Sequence, residues 1–118
     1  MAHSKDHSRA LNALDRIRSC FSQHTQKDQI EYLDALILRG QSSDALQELE
    51  FRSGLKNDKY LWGGMGTLAD TVFQDRAKDA SFRDAYIDLA EACKELNLES
   101  VYSSSVLKTF SSWKKKGL

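Results

Sequence analysis

The sequence predicts an all-α fold: a compact bundle of five or six helices with a glycine-rich turn before the fourth. Three observations lead there. No proline occurs among the 118 residues, so nothing forces a helix to break. Apolar residues recur at spacings of three and four along most of the chain, the period of one helical face. No alternation of apolar and polar residues runs long enough to build a sheet.

Taken in order, Leu11, Leu14, Ile17 and Phe21 mark the stripe of a first helix from Ser8 to about His24, with Cys20 beside it. Thr25 followed by Asp28 has the form of an N-cap with an acid at the third position, and Ile30, Leu33, Leu36 and Ile37 carry a second helix to Gly40. Ser42 or Ser43 caps a shorter third helix bearing Ala45, Leu46 and Leu49, ending around Gly54. From Lys56 to Gly66 the periodicity is lost: polar residues precede Tyr60-Leu61-Trp62, then Gly63, Gly64 and Gly66. Thr67 caps a short fourth helix with Leu68, Val72 and Phe73 inward. Ser81 caps a long fifth one with Phe82, Ala85, Tyr86, Leu89, Cys93 and Leu96 inward. Val101, Val106, Leu107, Phe110 and Trp113 form a last helix that Ser103-Ser104-Ser105 threatens to split, because serine side chains compete for backbone hydrogen bonds. Helices one, two and five are the main core walls. The chain reads as one domain, 1–118, with frayed ends at 1–7 and 114–118.

Composition bounds the chemistry. Seventeen Lys plus Arg balance seventeen Asp plus Glu, and hydrophobic residues make up 41%, enough for a core and unlike a disordered chain. No apolar run has the length of a membrane span or a secretory signal, so a cytoplasmic protein is expected. Cys20 and Cys93 are too few for a disulfide framework or a four-cysteine zinc site and read as core residues. His3 and His7, one helical turn apart in a terminus, lack a partner motif and read as solvated rather than metal-binding. Gly63-Gly64-Met65-Gly66 lacks the Gly-Lys-Ser/Thr ending of a phosphate loop and reads as a turn anchored by Trp62 and Met65. No catalytic residue, metal or cofactor is assigned.

Charge patterning gives the candidate site. Residues 27–50 hold six acids and two bases, and residues 81–107 hold five and two. Asp84, Asp88, Glu91 and Glu95 follow steps of four, three and four on the fifth helix, and Asp28, Glu31 and Asp34 do something similar, in steps of three, on the second. If the two faces adjoin, they make a negative surface for a basic protein partner. Tyr60, Trp62 and Met65, of types enriched at interfaces, are the second candidate contact. The four lysines Lys108, Lys114, Lys115 and Lys116 offer few phosphate contacts, so nucleic acid is not the expected partner.

One stretch carries a resemblance. Tyr60-Leu61-Trp62-Gly63-Gly64-Met65-Gly66-Thr67-Leu68-Ala69-Asp70-Thr71-Val72-Phe73 resembles the signature of a family of short helical bacterial domains of unknown function, Gly-Gly-Met-Gly-Ser-Leu/Phe-Asn-Asp-Leu-Val. Gly63 to Gly66, Leu68, Asp70 and Val72 fit; Thr67, Ala69 and Thr71 depart from it. With its flanking helices the resemblance covers roughly residues 28–96. Small proteins of this kind are similar to immunity proteins of bacterial toxin systems. The resemblance therefore implies a module that binds and occludes a toxin, here one with a basic cleft. A helical adaptor or chaperone-like protein taking a peptide in an apolar groove is the rival expectation.

Overall fold

The computed structural model describes residues 6–63 and 66–117. Its helices are α1 (Ser8–Ser19), α2 (Lys27–Gln41), α3 (Ala45–Asn57), α4 (Lys59–Trp62), α5 (Arg76–Glu95) and α6 (Val101–Lys115), with one 3-10 turn at Leu68–Asp70. The described residues contain no strand, and the fold is the all-α bundle that the sequence predicts. α5 is its axis, with α1 and α6 both packed along it. α2 packs on α1, α3 on α2, and α4 on the 3-10 turn and α6.

Several helix ends differ from the sequence reading, each for a local reason. α1 stops at Ser19 because residues 22–26 close a turn: Ser22 N–H donates to the Gln26 side chain at 2.8 Å, and Gln26 N–H to the Ser22 carbonyl at 2.9 Å. Gln26 rather than Thr25 then precedes α2. Aspartates, not serines, cap the middle helices. Asp44 accepts from Leu46 N–H at 2.9 Å, Asp58 from Tyr60 N–H at 3.0 Å, and Asp75 from Lys78 N–H at 3.0 Å, so α5 begins five residues before Ser81. The helix expected from Thr67 shrinks to Leu68–Asp70, and Val72, expected inward, is 80% exposed. α6 is unbroken. Ser100 and Ser103 form a reciprocal capping box (3.3 and 3.1 Å), which turns the serine run into a helix start. Asn97 takes a left-handed φ of 61°, and Leu98 N–H reaches back to the Cys93 carbonyl at 2.7 Å, a Schellman stop for α5.

The core is one cluster whose largest buried side chains are Trp62, Tyr86, Phe51 and Phe82. Trp62 Nε1 donates to the Leu55 carbonyl at 2.6 Å and Tyr86 Oη to the Leu61 carbonyl at 2.7 Å. Both carbonyls lie in the last turn of a helix, where no intrahelical N–H remains to meet them. Phe21, Phe73, Phe82, Tyr86 and Phe110 continue the cluster edge to face, with neighbouring centroids 5.0–5.9 Å apart.

Gly40 and Gly54 set how closely α2 meets its neighbours. A Cβ on Gly40 would stand 2.6 Å from the buried Phe51 ring and 2.7 Å from Leu11, while one on Gly54 would meet Leu36 at 3.2 Å. Gly40→Ala should therefore destabilise the protein by about 1–2 kcal/mol through overpacking. Gly54→Ala, where a slight shift of Leu36 is offset by better helix propensity, should stay within about 0.5 kcal/mol of wild type. Urea midpoints at constant slope would check both.

His7, expected to be solvated, instead fastens α1 to α3. Its side chain is 9% exposed, lies 5.1 Å from the Phe51 ring centroid, and has Nε2 3.3 Å from Arg52 Nη1 and 3.8 Å from Glu48 Oε2. Burial lowers its pKa below the ordinary 6.5; Arg52 acts in the same sense, and Glu48 and Asp6 oppose. The unfolded chain thus binds a proton more readily at this residue, so stability should be intact above pH 6.5 and fall as the pH drops through that value toward the folded one. Urea titrations on either side of that window should show the loss in wild type and a smaller one in His7→Phe.

Candidate functional site

Asp84, Asp88, Glu91 and Glu95 do share one face of α5, but that face lies in the seam that α5 makes with α1 and α6. Arg9 donates to Glu95 at 2.5 Å and to Glu91 at 2.9 Å, and its Nη2 lies 3.4 Å from Asp88. Arg16 donates to Asp88 at 2.6 Å, and Lys114 Nζ stands 3.2 Å from Asp84. On α2, Asp34 pairs with Arg18, Glu31 with Lys27 at 4.0 Å, and Asp28 is exposed. The expectation of two adjoining, uncompensated acidic faces is thereby corrected. α1 packs on both α2 and α5, and α2 has no comparable contact with α5. Arg9 and Arg16 flank the apolar stripe of α1 on one side and Arg18 on the other, so the middle helix sends a cation to each acidic row.

These pairs lie at the surface. The α5 carboxylates remain 39–64% exposed, and each such pair contributes about 0.2–1 kcal/mol. The hydrogen bond from Arg16 holds the Asp88 carboxyl below its ordinary 3.8, with Arg9 assisting and burial opposing. Over the ladder runs an open groove of about 660 Å³, whose lining of Arg16, Asp84, Asp88, Glu91, Lys114 and Lys115 mixes both signs.

The second set of candidates separates. Trp62 is 0% exposed and spends its N–H on Leu55, so it offers no contact surface, because a buried indole donor must find an acceptor inside. Tyr60 is half-buried, its ring edge-on to Tyr32 at 4.8 Å. Met65, with Gly64, lies outside the described residues.

A feature that sequence reasoning missed lies beside this turn. A cleft of about 370 Å³ opens beside α6, with Trp62, Gly63, Ala69 and Asp70 on one wall and Ser105, Val106, Thr109, Phe110 and Trp113 on the other. Trp113 stays 40% exposed while stacking on Phe110 at 5.4 Å, and the Arg83 guanidinium lies 5.8 Å from its centroid. The signal was present in the spacing of Tyr102, Ser105, Thr109 and Trp113, which places a row of exposed residues along one side of α6.

The remaining chemistry is inward. Burial pushes the Cys93 thiol up to about 12 and raises that of Cys20, which disfavours a thiolate at either. Gly66 N–H donates to the Asp70 carboxylate at 3.2 Å, so the turn already serves an anion of its own chain. His3 lies outside the described residues, and among those described no three His, Cys, Asp or Glu side chains are placed to share a metal ion. No described helix is long and apolar enough to cross a membrane. Compared with known proteins, the chain matches no family model, no curated protein and no solved structure.

The ladder makes its own prediction. Arg16→Ala should raise the Asp88 pKa toward its ordinary 3.8, read by NMR titration of the side-chain carboxyl. A double-mutant cycle with Asp88→Ala should give a coupling below about 1 kcal/mol.

Proposed function

We propose that this protein is a binding module that performs no chemistry of its own and needs no cofactor, acting as an immunity-type inhibitor that occludes a bacterial toxin. We further propose that it docks a segment of that partner in the cleft beside α6. The observation that carries the cleft is Trp113, a large amphipathic side chain left 40% exposed above apolar walls, the residue type and setting that dominate binding energy at interfaces. The inhibitor reading rests on the resemblance of residues 60–73, and that segment supplies one of the two walls.

A second reading keeps the acidic row of α5 as the contact. Its support is the 39–64% exposure of those carboxylates and the weakness of their pairs, which a partner's arginines could replace. Docking in the cleft is preferred because it requires no internal pair to break.

The natural test partner is the product of the reading frame beside the gene, measured by calorimetry. Trp113→Ala, or Thr109→Phe as a plug, should weaken binding by about tenfold or more, with melting temperatures close to wild type. Should those variants bind normally while Glu91→Gln with Glu95→Gln binds poorly and with a steep salt dependence, the contact is the acidic row. No binding by wild type would reject this partner and the inhibitor reading with it.

A further inference from the structure

The charge around the cleft points to the chemistry of what enters it. Residues 1–107 carry four more acids than bases, whereas residues 108–118 carry four lysines and no acid. Of those lysines, Lys114 is committed to Asp84. Lys108, Lys115 and Lys116 are exposed and make no ion pair among the described residues. Lys116 continues the row of Ser105, Thr109 and Trp113 by one further step of three, so the cleft runs out at its α6 end into positive charge. The opposite wall bears the carboxylate of Asp70.

We propose that the segment taken up is an acidic stretch of polypeptide with one aromatic or large aliphatic anchor, the anchor seated against Trp113 and its carboxylates reaching Lys116 and Lys108, whereas Lys115 turns to the groove over the α5 carboxylates. This rests on the reading of the cleft as the docking site. It reverses the sign of partner expected from the α5 carboxylates. The exposed ring face of Trp113, above the edges of Ala69, Val106 and Phe110, suits a side chain and not a phosphodiester. Asp70 repels a continuous polyanion, yet tolerates a segment charged at one end. A bilayer surface fits less well, since Val106 and Phe110, the apolar side of α6, are buried in the bundle and leave no continuous apolar face for insertion. The hydroxyls of Ser105 and Thr109 along the rim add donors for carboxylates or for a strand of backbone.

The test is selection of short random peptides on the immobilised full-length protein. Selected sequences should pair Trp, Phe or Leu with Asp or Glu and bind about tenfold or more weakly to Trp113→Ala and to Thr109→Phe. They should also lose affinity to a Lys108→Ser, Lys116→Ser double variant and as ionic strength rises. Peptides that need Trp113 but show no acidic bias and ignore the lysine variant overturn the inference and leave the cleft reading standing. Absence of any Trp113-dependent peptide overturns both. Oligothymidylate or phosphatidylserine vesicles bound more tightly than any selected peptide, and released by the lysine substitutions, overturn it in favour of that partner.

Discussion

Two aromatic side chains that carry a polar group cannot be buried unless that group is met, and the fold is arranged around this requirement. Trp62 and Tyr86 are 0% exposed, and an unmet donor at either would cost about 1–3 kcal/mol. Their acceptors are carbonyls that α3 and α4 leave unpaired at their ends. One arrangement therefore satisfies two sets of groups: the aromatic donors find acceptors, and the terminal carbonyls are capped inside an apolar core. It also fixes the path of the chain, since the Trp62 ring must lie under the end of α3 while Tyr86 ties α5 to α4. Trp62, which also lines the cleft, is held at this anchored point.

The acidic row of α5 illustrates how a surface pattern acquires its meaning from its neighbours. By itself it is four carboxylates on one helix face. Beside α1 it becomes half of an interhelical ladder with Arg9 and Arg16, and beside α6 it holds Lys114. Each link is individually weak. Together they favour this placement of the three helices over one in which α1 is rotated and its arginines face elsewhere, a matter of specificity as much as stability. Most of the balancing cations come from the first twelve residues of helix, so the negative sequence block is not a negative surface block. Lys115 and Lys116, at the far end of α6, have no ion pair among the described residues.

The helices and most core residues were legible because a period of three to four survives any tertiary arrangement: Leu14, Ile17, Leu33, Leu36, Phe82 and Leu89 are all buried. Boundaries were less legible. Capping by Asp44 and Asp75 competes with Ser42, Ser43 and Ser81, which are equally suitable by type, and only backbone geometry chooses between them. Gly54 looked like a stop and is a point of helix contact, a distinction set by Leu36 on another helix. The partners of the acidic residues were illegible for a related reason: Arg9 and Glu95 meet across 86 positions, and periodicity on one helix says nothing about which other helix lies against it. The cleft needed two segments brought together from either side of α5.

α1 finds its main support in α5, a segment made long after it. On a growing chain the stripe of Ala10, Leu14 and Ile17 has α2 to lean on, but the surface that will finally cover it does not exist until Glu95 has been added. At ribosomal rates of about 5–20 residues per second, the delay amounts to roughly 4–15 s. For that interval the first helix is an apolar strip awaiting its mate. The newborn polypeptide is then open to capture by a molecular chaperone or to sticking to a neighbouring nascent copy.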